Sequence, residues 1–155
     1  MFLPLLVGLG VLVVSIMTYG VATAFILQIV ARFFRSRANG LTISKNVVVM
    51  TLVALVTAAA HLTQIAIWAC VLVVLGESST FEEAFYSSAQ NYTALGYGDI
   101  IHSQYWRLLG PLEAINGLLL FGLSTATMFA VMSRLITNRL RHQGSQASTA
   151  IAQRE

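Results

Sequence analysis

The chain has 155 residues, 57% of them hydrophobic and only 10% charged, with a formal net charge of +3 and a mean hydropathy of +0.76. A soluble domain carries about one quarter charged residues, so this composition excludes that class and indicates an integral membrane protein. The nine basic residues flank apolar runs, a distribution that membrane topology alone produces and that gives no reason to expect a nucleic-acid partner.

The first apolar run extends from Phe2 to Ala31 without a charged side chain. Ala22-Thr23-Ala24 has the small-x-small form of a cleavage site, but no basic residue precedes the run, and it continues past that point as FILQIVA. A retained spanning helix is expected rather than a signal peptide. It carries no arginine ladder, which excludes a voltage sensor of that kind. Tyr19, Thr23 and Gln28 are its candidates for packing against the second helix. Arg32, Arg35, Arg37 and Lys45 follow in a loop that holds no acid. Asn39-Gly40 within it suits a helix end and turn.

The second run, Val47 to Leu75, and the third, about Leu108 to Ile136, also exceed the roughly 20 residues a spanning helix needs. Cys70, the only cysteine, lies inside the second run and is expected as a small buried residue, which leaves no disulfide framework. His61 and Gln64 sit one turn apart in the same run. An ionisable group at that depth is a functional candidate, yet a neutral His hydrogen-bonded to a neighbouring helix is the favoured reading.

Between the second and third runs, residues 76–107 hold Glu77, Glu82, Glu83 and Asp99 against a single strong base, Arg107. The positive-inside tendency therefore puts this segment and the N-terminus outside, and the basic loop and C-terminus in the cytoplasm. Thr80 followed three residues later by Glu83 is a helix-start signature, predicting a short helix over about 81–92. It is too short to cross a bilayer. A short helix followed by Gly-rich backbone is tolerated at membrane depth only where protein or a watery cavity surrounds it, so the segment is a candidate re-entrant loop. The motif NYTALGYGDI follows this helix.

The order of spanning helix, short re-entrant helix, Gly-Tyr-Gly-Asp and spanning helix resembles the pore module of potassium channels and their two-transmembrane bacterial relatives. The resemblance covers about residues 47–137, with Ala94 to Asp99 similar to the filter usually written Thr-Val-Gly-Tyr-Gly-Asp. It implies an all-α membrane protein with an N-terminal helix and its basic end (1–37) and a cytoplasmic loop (38–46). The pore module (47–137) follows, with an outer helix at 47–75, a pore helix at about 80–93, a filter at 94–99 and an inner helix at about 108–137. Residues 138–155 are expected to form a flexible tail. It also implies a homotetramer in the cell membrane, since one loop per chain cannot close a ring around an ion.

In such a filter, potassium ions would meet the backbone carbonyls of Ala94, Leu95, Gly96 and Tyr97, and Gly96 and Gly98 would supply positive φ at little cost. Leu95 and Tyr97 would face away from the axis, the Tyr hydroxyl bonding to the short helix. Asp99 would form an outer ring of carboxylates that concentrates cations, and Gln90 and Thr93 would belong to the filter surround. Gln90 stands where many relatives have an acid, and Tyr86-Ser87 where many have paired tryptophans. Gly117 and Gly122 match the inner-helix glycines as hinge or packing positions, while Phe121, Thr125, Phe129 and Ser133 are cavity or gate candidates. Pro111 fits the first turn of that helix. Glu113 is expected to hold the filter surround through Arg107 or backbone donors, and His102 to be an external pH contact or an ordinary surface residue.

One departure stands out. The filter Thr is replaced by Ala94, which removes a ring of hydroxyls from the innermost ion site, and Thr93 lies one residue too early to restore it. A weakly selective or other-cation pore therefore stays open beside a potassium channel, as does a non-conducting interaction protein that keeps the pore fold. The expected partners are monovalent cations, lipids and identical subunits. No cofactor other than permeant potassium is expected, and no enzymatic constellation is present.

Overall fold

The computed structural model describes residues 2–35 and 43–152; the Asn39-Gly40 turn lies outside the described residues. The order is α1 (Phe2–Arg35), α2 (Ile43–Val74), α3 (Phe81–Tyr92) and α4 (Leu109–Ala152), with no strand among the described residues. Among the described residues, three stretches are long and apolar enough to cross a membrane: Phe2–Arg32, Asn46–Val74 and Leu109–Asn138.

Each long helix buries one stripe. On α1 it runs through Ser15, Tyr19, Ile26 and Val30, on α2 through Val49, Val53, Thr57, Gln64, Trp68 and Leu72, and on α4 through Leu109, Glu113, Asn116, Leu120, Ser124, Thr127, Val131 and Leu135. Spacings of three and four residues place each set on one helical face. The remaining faces leave large apolar side chains exposed, as helices in lipid do.

The core has two apolar clusters. One joins Ile65, Trp68, Ala69, Leu72, Ala84, Tyr92 and Leu109 at the α3 end, and the other joins Ile26, Val30, Val49, Val53, Val131 and Leu135 at the far end. A polar band lies between them. There the Gln64 amide donates to the Ser15 carbonyl (3.2 Å) and to the Thr18 hydroxyl (2.9 Å), fastening α1 to α2. Burial of polar groups in a bundle core requires such partners, because lipid offers none.

Several expectations are corrected. Gln28 is exposed, unlike a residue packed against the second helix, whereas Tyr19 is buried and Thr23 half-buried. Cys70 is exposed on the outer face of α2, because the buried stripe passes through its neighbours Trp68, Ala69 and Leu72. The third spanning helix does not end near residue 137. It continues to Ala152, since the segment expected to be flexible holds no proline to break it and is rich in Gln and Ala, both compatible with a helix.

The short helix matches its sequence signature closely. Thr80 is the N-cap with extended backbone, its hydroxyl accepting from Glu83 N–H at 3.2 Å. Glu83 reaches back one residue further than a capping box does, accepting from the Ser79 N–H (3.2 Å) and hydroxyl (3.0 Å). Ala84, Ser88 and Tyr92 are each 0% exposed. This i, i+4, i+8 row wedges α3 between α2 and α4.

Candidate functional site

The end of α3 determines how the ALGYGD segment starts. Thr93 is the C-cap and Ala94 takes φ +56°. Ala94 N–H donates to the Asn91 carbonyl (2.9 Å), and Leu95 N–H to the Gln90 carbonyl (2.9 Å). These are the paired bonds of a Schellman cap, with alanine where glycine is the usual left-handed residue. A non-glycine there costs about 1–2 kcal/mol of backbone energy. The Thr93 hydroxyl turns back to the Ala89 carbonyl at 2.7 Å, so it is committed to the helix.

Beyond the cap, φ is positive again at Gly96 (+56°) and Gly98 (+74°), while Leu95 and Tyr97 are not among the positive-φ residues. The two glycines therefore adopt the conformation expected of them, and Ala94 adds a third such position that composition could not reveal. Residues 94 to 99 are all exposed in the single chain. Leu95 is 56% and Tyr97 68% exposed in the single chain.

Asp99 is tethered. Gln90 Nε2 donates to one carboxylate oxygen at 2.9 Å and the Tyr86 hydroxyl to the other at 2.9 Å, while Ile100 N–H also donates, at 3.1 Å. The Gln90 bond, then the Tyr86 bond, holds the carboxyl below the usual carboxylate range, and the same carboxylate pushes the Tyr86 phenol up. Gln90 and Tyr86 thus pin the end of the loop to α3. Behind the loop lies an open cavity of about 370 Å³ lined by Gln90, Asn91, Ala94, Gly96, His102 and Arg107, among others.

The segment that follows the loop is anchored by Glu77, whose two carboxylate oxygens accept from the Ser103 N–H and hydroxyl, each at 2.7 Å. His102, just before it, has Nε2 3.4 Å from the Asn91 amide nitrogen. Burial pushes the imidazole below its ordinary value, against an opposing pull from Glu77. A histidine that takes up its proton less readily folded than unfolded makes the fold lose stability as pH falls from about 6.5 through the folded value. Acidification in that range is expected to destabilise the wild-type protein more than a His102→Gln variant, as checked by thermal unfolding at stepped pH; parallel pH profiles would remove the effect.

Deeper in the bundle, His61 joins every helix. Its Nδ1 lies 2.8 Å from the Tyr92 hydroxyl and its Nε2 3.3 Å from the Ser124 hydroxyl. Its ring centroid is 5.4 Å from that of Tyr19 and 4.5 Å from that of Phe121. This is the hydrogen-bonded histidine favoured from sequence, with the end of α3 as its principal partner.

On α4, Pro111 occupies the first turn as expected. Gly117 lies against Tyr92 so closely that a Cβ would overlap the Tyr92 carbonyl oxygen, whereas a Cβ on Gly122 would meet nothing within 4 Å. The two glycines therefore do different things, the first permitting close packing. Phe121, Thr125 and Phe129 are exposed and Ser133 half-buried. The Glu113 carboxyl is 0% exposed and faces Ser88 and Asn91 on α3 instead of Arg107. Sequence reasoning missed those partners, because nothing in the spacing says which face of α3 meets α4.

Residues 47–134 match the family described as ion channel, the two-transmembrane, potassium-channel-like pore domain. The match spans more than half of the chain, and the protein belongs to that family, with α1 as an additional N-terminal helix. Searches among curated proteins and among solved structures found no match. The chain is thus a membrane-embedded ion-channel protein whose family domain comprises α2, α3, the 94–99 loop and most of α4.

Proposed function

We propose that the protein is a potassium-permeable cation channel, assembled from four copies around the 94–98 segment, whose backbone carbonyls select the ion. The alternation of φ along Ala94, Leu95, Gly96, Tyr97 and Gly98 carries this reading. Left-handed residues interleaved with ordinary ones turn successive peptide planes the same way, and a carbonyl filter needs that common direction. The exposure of Leu95 and Tyr97 in one chain supports assembly, because neighbouring copies would cover them. Asp99, held at the end of the loop by Gln90 and Tyr86, would add negative charge at the mouth. In this reading Phe121, Thr125, Phe129 and Ser133 line the conduction path below the loop. The basic loop after the first helix supports an orientation with the N-terminus outside and the C-terminus in the cytoplasm of the cell membrane.

A second reading has a specific observation behind it. Ala94 has no hydroxyl and Thr93 spends its own on the Ala89 carbonyl, so the innermost position offers carbonyls alone. A weakly selective cation pore follows from that loss. Flux from liposomes under potassium and sodium gradients separates the two readings. Potassium preference in the wild type supports the first; flux without preference that Ala94→Thr makes selective supports the second. Absence of flux in both proteins would overturn the conducting assignment. Native mass spectrometry tests the assembly, for which a predominant monomer or dimer would be the contrary result.

A further inference from the structure

His61 lies near the middle of the second spanning stretch, Asn46–Val74, a depth at which an ionisable side chain is costlier than an apolar one. Its bonds have a direction. The Ser124 hydroxyl donates its single hydrogen to the Phe121 carbonyl at 2.8 Å. Toward His61 Nε2, 3.3 Å away, it therefore acts as an acceptor, which puts the imidazole proton on Nε2. Nδ1 is left as an acceptor, and the Tyr92 hydroxyl donates to it at 2.8 Å. A neutral ring thus satisfies both nitrogens in one chain of bonds that runs from α3 through α2 to α4.

Tyr92 is the residue through which this chain reaches the ALGYGD segment. It is the last residue of α3, followed by the C-cap Thr93 and then by Ala94. Its side chain is fully buried in the cluster that holds Ile65, Trp68 and Leu109, and Gly117 packs against its backbone carbonyl. The hydroxyl is the far end of a lever. Where it is held sets the rotation of the last turn of α3, and the Ala94 and Leu95 N–H groups, bonded to the Asn91 and Gln90 carbonyls of that turn, pass the rotation on.

We infer that His61 is a positioning residue for ion selection: through the Tyr92 hydroxyl it holds the last turn of α3 and with it the direction of the Ala94 carbonyl, on the filter reading of residues 94–98 given above. Position 94 makes that direction matter. With no hydroxyl on Ala94, and that of Thr93 bonded to the Ala89 carbonyl at 2.7 Å, the innermost ion position depends on carbonyl orientation alone. Packing by itself calls for no such pair, since a phenylalanine ring and an apolar side chain would fill similar space without burying polar groups.

Two substitutions separate the ring nitrogens. His61→Asn carries an amide oxygen near the place of Nδ1 and keeps an acceptor for Tyr92, whereas His61→Gln carries its amide near Nε2 and keeps only the bond to Ser124. Tyr92→Phe removes the same bond from the other side and leaves the ring in place. In liposomes the potassium-to-sodium permeability ratio is expected to fall severalfold in His61→Gln and Tyr92→Phe, to stay near wild type in His61→Asn, and to fall no further when His61→Gln and Tyr92→Phe are combined. A ratio unchanged in both His61→Gln and Tyr92→Phe overturns the inference. So does an equal fall in all three single variants, which a general loss of packing produces, or an additive fall in the combined one.

Amide hydrogen exchange reads the anchoring with no ion passing. Residues 93–96 are expected to exchange roughly tenfold faster in His61→Gln and Tyr92→Phe and at the wild-type rate in His61→Asn, as the loss of one buried hydrogen bond implies. Unchanged exchange in the first two rejects the positioning role. Absence of selective flux from the wild type would instead overturn the filter reading, and the exchange pattern then decides the anchoring by itself.

Discussion

Alanine at position 96 is expected to abolish selective cation flux while leaving the helices folded. Gly96 holds φ +56°, and a Cβ there would meet nothing within 4 Å, so within one chain the effect of the substitution is conformational and not steric. A left-handed alanine costs about 1–2 kcal/mol, and in an assembly of identical copies that cost recurs in every loop. Ala94 already carries one such residue at the start of the segment, anchored by the two Schellman bonds. Gly96 has a single weak anchor, its N–H 3.4 Å from the Gln90 carbonyl. Its peptide can therefore relieve the strain by rotating, which turns a carbonyl away from its neighbours. Liposome flux of the variant, with circular dichroism to verify helix content, measures this. Undiminished potassium-selective flux from a Gly96→Ala protein would remove the 94–98 segment from the conduction path.

The second large effect is expected at Gly117. A methyl group there runs into the backbone carbonyl of Tyr92, and backbone cannot step aside as a flexible side chain can. Either α4 moves away or the end of α3 shifts, carrying the start of the ALGYGD segment with it. Overpacking of this kind costs about 1–3 kcal/mol, offset in part by the roughly 1 kcal/mol that alanine gains over glycine inside a helix. Gly117→Ala is therefore expected to lower the thermal unfolding midpoint and to reduce flux together. Gly122→Ala is expected to leave the unfolding midpoint unchanged or raise it, because its surroundings are open. A change of flux in Gly122→Ala without a change of stability would mark a hinge at that position. Identical behaviour of the two variants would contradict the division of roles.

What could be read from the chain alone follows the range of the forces involved. The bounds of α3, its Thr80 cap and the positive φ of Gly96 and Gly98 rest on interactions within a few residues, and sequence signatures report those. The three spans depend only on length and polarity. Ala94 escaped because its left-handed backbone comes from helix termination, which overrode a residue preference of about 1–2 kcal/mol. The tethering of Asp99 by Tyr86 and Gln90, the neighbours of Glu113 and the outward face of Cys70 all depend on the rotation of one helix against another. Hydropathy is nearly uniform around these helices and holds little record of that rotation. Only the polar residues mark it: His61, Gln64 and Glu113 each face protein in the fold.

The bonds from Gln64 to Ser15 and Thr18 have a consequence for the bilayer itself. They place α1 along the flank where the polar band of α2 would otherwise open onto acyl chains, and Tyr19 closes over the His61 ring from the same side. Hydrocarbon is a solvent that a histidine and a glutamine cannot share without loss, so the leading helix works as insulation. It lets the family's two-span framework carry hydrophilic chemistry at mid-depth, shielded by its own sleeve instead of by lipid.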